Sequence, residues 1–142
     1  MNILAVDTSG IVASVAIANE NKILGEINLN YKQNHSVTIM PIIDNLLKML
    51  EMDLEDINYF AFSKGPGSFT GLRIGAATVK AMAHTLNKKI IPISTLEVMA
   101  YNIIDIGRFI VPIIDAKAER VFAGIYKNEN GILEPILEEQ AT

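Results

Sequence analysis

Two polar segments of the chain carry the side chains that could do chemistry. The first is Asp7, Thr8 and Ser9, directly after the apolar run 3–6, and a carboxylate beside two hydroxyls suits a hydrated Mg²⁺ ion. The second is the glycine-rich stretch 65–75, whose backbone N–H groups could face an anion. Together they predict a nucleotide or phosphate loop. Its candidate residues are Asp7, Thr8, Ser9, Gly65, Gly67, Ser68 and Thr70.

Both segments also have a purely structural interpretation. Asp7 could cap the backbone N–H groups of a turn. The glycine stretch departs from the Walker pattern, because Leu72 and Arg73 follow its glycines where that pattern requires Gly-Lys-Ser/Thr. It also departs from Gly-x-Gly-x-x-Gly, because Thr70 stands at the third glycine position. The two interpretations stay open at the level of the residues.

Strands and helices must position these segments. The apolar residues 57–63 before the glycine stretch have strand length, and 72–86 after it are rich in helix formers, with Ser68 or Thr70 as the helix cap. The start of the chain, residues 3–29, predicts an antiparallel meander of two or three strands. Residues 90–93 predict a short buried strand, and a third helix is expected from Ser94 or Thr95 to about residue 104.

The beginning of the chain recurs near its end. An apolar run ends at Asp7 and another ends at Asp115, 108 positions later (115 − 7), and a strand, an Asn-Glu-Asn turn and a further strand follow in both places. A coincidental hairpin is the alternative. Duplication predicts an α/β fold with domains 1–105 and 106–142. The second domain is expected to be incomplete, as in a fragment or a chain that has lost this half, because no helices follow its hairpin.

Two predicted helices are candidates for contact with a partner. Apolar side chains of helix 35–50 cover about half of its circumference, whereas one sheet-facing stripe needs only about 100°. The excess predicts a second neighbour, either the next helix or another chain. Arg73 could meet a phosphate, or pair with an acidic residue at a subunit contact or within its own domain. The interface candidates are His35, Ile39, Ile42, Leu46, Leu72, Arg73, Ala76, Val79 and Ala83.

Composition limits the classes of function. The 142 residues suffice for one domain with a core, and a net charge of −4 argues against nucleic-acid binding by the chain on its own. The chain has no cysteine, which excludes disulfides and thiol chemistry. No signal peptide or membrane span is evident, so a cytoplasmic location is expected.

Four segments together resemble the TsaB family. They are residues 4–9, residues 35–36 at the start of the first helix, the glycine-rich stretch 65–75, and residues 114–117. The resemblance implies an actin-like, ribonuclease H-like mixed sheet with helices, complete in the first domain and only begun in the second. It further implies a non-catalytic dimerisation subunit that supports threonylcarbamoylation of adenosine in tRNA by pairing with the catalytic sibling TsaD through its first two helices.

The resemblance also implies what the chain lacks and what it binds. TsaD carries a His-x-x-x-His metal pair where this chain has Thr95 and Met99, so no catalytic metal site and no required cofactor are expected. ATP and Mg²⁺ are expected only at the level of the complex. The implied partners are a TsaD-like subunit and a TsaE-like ATPase, with a homodimer when the chain is alone and with tRNA reached only indirectly. The alternative is an ATP-binding phosphotransferase or ATPase of the actin-like superfamily that uses Asp7, Thr8, Ser9 and the glycine loop.

Overall fold

The computed structural model describes residues 1–30, 35–103 and 107–141, with side chains for all of them except residues 35 and 138–141. The chain forms two compact units. The first unit is Met1–Lys64 with Ser68–Pro92, and the second is Gly65–Gly67 with Ile93–Thr142. The predicted boundary after residue 105 falls outside the described residues and stays a prediction.

The first unit is built on a five-stranded sheet whose strand order is β3-β2-β1-β4-β5. Neighbours β1 and β2 are antiparallel, as are β2 and β3, whereas β1 and β4 are parallel. This confirms the mixed α/β arrangement predicted for an actin-like fold. In chain order the elements are β1 (Asn2–Asp7), β2 (Ala13–Asn19), β3 (Ile23–Leu29), α1 (His35–Met49), a short 3₁₀ turn (Leu54–Asp56), β4 (Tyr59–Gly65), α2 (Phe69–Thr85) and β5 (Lys89–Ser94).

The core of the first unit lies between the sheet and the two helices. Alternate residues of β2 are buried, as the period of a strand requires. Helix α1 packs against β2 and β3, and Gly25 of β3 lets it approach closely, because a Cβ there would lie 2.8 Å from Cδ1 of Leu46. Val79 and Met82 of α2 belong to the same core. The sheet and the next helix, which is one of the two neighbours predicted for α1, therefore cover most of its wide apolar face, while some of its apolar side chains stay exposed.

The second unit is a short helix with an antiparallel sheet. Its elements are α3 (Thr95–Ala100), β6 (Phe109–Ile110), β7 (Ile113–Lys117), β8 (Arg120–Glu129) and β9 (Ile132–Ala141). Strand β8 pairs with β6, β7 and β9. Asn128 closes the β8–β9 turn by accepting a hydrogen bond from the backbone N–H of Gly131 at 3.0 Å. The meander β7–β8–β9 repeats the strand order of β1–β2–β3, as the duplication predicts.

Candidate functional site

The Asp7 carboxylate forms part of the turn that follows β1. Its Oδ1 accepts hydrogen bonds from the backbone N–H of Ser9 at 2.9 Å and from the Ser9 hydroxyl at 2.6 Å. Aspartate commonly makes this kind of bond to the backbone two residues further on. One carboxylate oxygen is thus used to shape the turn, as the structural interpretation of Asp7 requires.

The turn is joined to the first residues of α2 by two further hydrogen bonds. Thr8 is 2% exposed, and its hydroxyl donates to the carbonyl oxygen of Gly71 at 2.7 Å. The backbone N–H of Ser68 donates to the carbonyl oxygen of Ser9 at 2.7 Å. The end of β1 and the start of α2, which are some sixty residues apart in the sequence, therefore form one hydrogen-bonded cluster.

Two glycines of the glycine-rich stretch make this close packing of α2 sterically feasible. A Cβ on Gly71 would overlap the backbone carbonyl oxygen of Thr8, and a Cβ on Gly75 would overlap the Thr8 hydroxyl. Both glycines are buried on the face of α2 that lies against the turn. Their role in the fold is to admit Thr8, so they do not have to line a ligand site.

The N-terminus of α2 has its own cap. Ser68 is the N-cap residue, and its hydroxyl accepts a hydrogen bond from the backbone N–H of Gly71 at 3.2 Å. A capping hydroxyl satisfies one of the free N–H groups that an anion would otherwise bind. The predicted cap is confirmed, and α2 begins at Phe69, three residues before the predicted helix start.

The other predicted loop residues have different surroundings. Gly65 is buried at the end of β4 with φ 113°, a value that favours glycine, and Gly67 is exposed. Both belong to the segment Gly65–Gly67, which is part of the second unit. Thr70 is exposed in the first turn of α2. Direct hydrogen bonds bring together Asp7, Thr8, Ser9 and Ser68, and a nucleotide or phosphate site at these residues stays a prediction.

The predicted interface residues divide by burial. Five of them lie in the core of the first unit, where they pack within the chain, while Leu72 and Ala76 are half-buried and Arg73 is exposed. His35 begins α1, and its side chain lies outside the described residues. Contact with a partner stays a prediction. Among these residues Leu72, Arg73 and Ala76 are accessible enough to make such a contact directly. The five core residues are Ile39, Ile42, Leu46, Val79 and Ala83.

Sequence reasoning counted Met40 in the wide apolar face of helix 35–50, but it did not single out Val37 and Phe69 as exposed apolar residues. Val37 and Met40 on α1 are 68% and 49% exposed, and Phe69 at the start of α2 is 73% exposed. The guanidinium of Arg73 lies 5.3 Å from the centre of the Phe69 ring, within the range of a cation–π contact. Their position on the helix could have indicated their exposure, because these residues lie outside the apolar stripe that the core residues form on each helix.

Thr95 and Met99, which the sequence analysis places at the positions of the metal-binding histidine pair of TsaD, lie on α3. Thr95 is buried at the start of the helix and Met99 is exposed near its end. Among the residues that the structure describes, no group of three or more His, Cys, Asp or Glu side chains could hold a metal ion. The expectation that the chain has no catalytic metal stays a prediction. None of the helices in the described ranges is both long enough and apolar enough to cross a membrane.

Comparison with known proteins gives consistent matches. A model of the TsaD family, tRNA N6-adenosine threonylcarbamoyltransferase, matches residues 22–142. The tRNA threonylcarbamoyladenosine biosynthesis protein TsaB of Bacillus subtilis is 38% identical over 140 residues, which are 99% of this chain and 61% of that protein. The protein of the same name from Escherichia coli is 34% identical over 138 residues, 93% of this chain and 58% of its own length.

Solved structures agree with the sequence matches. YeaZ from Pseudomonas aeruginosa superposes with a TM-score of 0.88 at 28% identity, and the match covers 99% of this chain and 66% of the YeaZ chain. The chain thus spans less than two thirds of the length of each of these three relatives.

Proposed function

Because the chain belongs to the TsaD family, that of tRNA N6-adenosine threonylcarbamoyltransferase, and its curated relatives include TsaB proteins, we propose that it is a non-catalytic partner subunit in threonylcarbamoyladenosine biosynthesis. In this role it pairs with a TsaD-type catalytic subunit through α1 and α2. It supports the transfer of a threonylcarbamoyl group to adenosine in tRNA without performing the transfer.

The hydrogen bonds of the Asp7 turn are the observation that supports a non-catalytic role. Oδ1 of Asp7 accepts two hydrogen bonds from Ser9, the Thr8 hydroxyl donates to Gly71, and one backbone N–H at the start of α2 is capped by Ser68. A phosphotransferase would need such groups to face Mg²⁺ or phosphate. Their use within the fold favours a structural role over the alternative of an ATPase.

The observation that supports pairing is the apolar surface that α1 and α2 leave exposed. Val37 and Met40 lie on the outer side of α1, and Phe69 lies at the start of α2. A groove of about 290 Å³ is lined mainly by α1 and the segment that follows it, and Met40, Met52 and Met82 of α2 are among its lining residues. Methionine side chains adapt their shape to an incoming surface, and an exposed apolar patch of this kind marks a contact site.

The experiment is a mass measurement by light scattering on a sizing column, for the chain alone, for its cognate TsaD-type subunit alone and for the mixture. We expect a one-to-one complex. The double variant V37E/M40E should abolish it, because two charges would be buried without partners. The matched control is Ile11→Glu, which changes a side chain 79% exposed in the β1–β2 turn and should leave the complex intact.

A second readout separates pairing from catalysis. The cognate TsaD-type subunit is assayed for tRNA threonylcarbamoylation with and without the chain. We expect the chain to stimulate the reaction and to have no transferase activity by itself. The proposed function is wrong if wild-type chain forms no complex and gives no stimulation.

A further inference from the structure

One stretch of the chain has a net positive charge because it contains no acidic residue. Residues 57–96 contain five of the twelve Lys and Arg residues and none of the sixteen Asp and Glu residues. The rest of the chain therefore carries seven basic and sixteen acidic residues, a net charge of −9 (7 − 16). This split is hidden by the overall charge of −4.

Helix α2 lies in this stretch and presents its charge to solvent. Arg73, Lys80 and His84 are all exposed, and their spacings of seven and four residues place them on one side of a helix. Within the described part of the chain none of the three pairs with a carboxylate. We call this side of α2, from Phe69 to His84, the basic face.

The end of the basic face borders a concavity. This hollow of about 590 Å³ is lined by Lys80, His84, Asn87 and Lys88 together with Ala81, Ala83 and Ile90, and it includes no acidic side chain. Lys88 donates a hydrogen bond to the backbone carbonyl oxygen of Glu55 at 3.2 Å, which keeps its ammonium group in place. An anionic side chain entering the hollow would meet several donors and no like charge.

Helix α1 differs in this respect. On its solvent side Asp44 and Lys48 form an ion pair at 2.6 Å, one helical turn apart. The exposed charges of α1 are thus matched within the helix, whereas those of α2 are not. On the surface formed by α1 and α2, the basic face is therefore the part whose positive charges are not matched by carboxylates of the same helix.

We propose that the basic face of α2 docks on an acidic surface of the catalytic partner, with carboxylates opposite Arg73, Lys80 and His84. This inference rests on the proposed function, and it adds the chemistry that selects the partner. Complementary charge speeds association and excludes wrong partners. A two-fold dimer that apposed two copies of α2 would bring cations against cations, so the basic face favours the heterodimer over the homodimer.

An acidic protein surface fits the basic face better than RNA does. Exposed Ala77 and Ala81 and the Phe69 ring separate the cations, and alanine offers no donor to a phosphate. The remainder of the chain, at −9, repels a long polyanion. A local cluster of carboxylates on a protein experiences little of that repulsion, since charges beyond about 10 Å are screened.

The test is the dissociation constant of the complex with the cognate TsaD-type subunit, measured at about 50 mM and 500 mM salt. We expect the complex with the R73E/K80E variant to be at least about tenfold weaker at low salt, with a salt dependence that is lost or reversed. The neutral variant R73Q/K80Q should lie between this variant and the wild type. The matched control is K22E/K117E, which makes the same charge change in the β2–β3 turn and at the end of β7, outside both helices, and should bind as the wild type does. Melting curves establish that each variant is folded.

The outcomes separate this inference from the proposed function. A complex that forms but is insensitive to salt and to R73E/K80E overturns the inference and leaves the proposed function standing. No complex with wild-type chain overturns both. If R73E/K80E binds the catalytic subunit normally and instead reduces retention of tRNA by the complex, the basic face contacts RNA and the inference is wrong. The inference also requires the self-association of the chain to increase, not decrease, as salt rises.

Discussion

Thr8 links the two polar segments through two kinds of contact. Its hydroxyl bonds to the backbone of α2, and its own atoms fill the space beside Gly71 and Gly75. A helix can lie this close to a strand end only where it has no side chains. The glycines of the stretch 65–75 that fall within α2 are therefore explained by packing.

This explanation predicts that Gly71→Ala destabilises the first unit. The added Cβ would meet a backbone carbonyl oxygen that is fixed at the end of β1, so we expect a loss of about 3 kcal/mol in the free energy of unfolding. Gly10→Ala is the control, because a Cβ at Gly10 has no atom within 4 Å and should cost far less. Urea unfolding followed by circular dichroism measures both, and equal losses would contradict the explanation.

A substitution at Asp7 distinguishes a structural role of its hydrogen bonds from a functional role of its charge. In Asp7→Asn the amide oxygen can still accept the two bonds from Ser9. We therefore expect a change in unfolding free energy of less than about 1 kcal/mol and unchanged stimulation of the TsaD-type subunit. A variant that folds normally but no longer stimulates would point to a role for the charge itself.

At the scale of elements, the order of strands and helices could be predicted, because it follows from apolar periodicity and turn residues. The helix predicted over 35–50 is observed as His35–Met49. The direction in which its apolar residues point could not be predicted, because that depends on where α2 lies. Gly71 and Gly75 are one helical turn apart, a spacing that is typical of a helix packed closely against a neighbour. In the sequence the same glycines also fit a loop, and only the position of Thr8 beside them in the structure decides between the two.

The two sides of α1 lead to a prediction with opposite outcomes. Leu46 is buried and contacts the sheet at Gly25, so Leu46→Ala should lower the free energy of unfolding by about 2 to 5 kcal/mol. Met40 is half exposed, so Met40→Ala should cost less than about 1 kcal/mol in stability and should weaken the complex with the TsaD-type subunit. Thermal melts and binding measurements on both variants check this. The assignment of the two sides fails if Met40→Ala is the more destabilising change.

At the scale of the whole molecule, charge and length carry information that local motifs do not. The acidic overall charge predicts that the chain does not bind nucleic acid on its own, which stays a prediction, and it conceals the basic face of α2. The chain matches 61% and 58% of the length of two curated relatives. The first unit supplies a complete sheet, whereas the second unit has one short helix over its sheet among the described residues.

The last prediction concerns nucleotide binding by the chain alone. A ligand that binds only the folded state at about one hundred times its Kd adds about 2.7 kcal/mol to stability, which would raise the Tm by more than about 5 °C for a chain of this size. Because Oδ1 of Asp7 and the hydroxyls of Thr8 and Ser9 are used within the fold, we expect no shift in Tm with millimolar ATP and Mg²⁺. Differential scanning fluorimetry measures this. A concentration-dependent rise that Asp7→Asn removes would instead support the ATP-binding phosphotransferase.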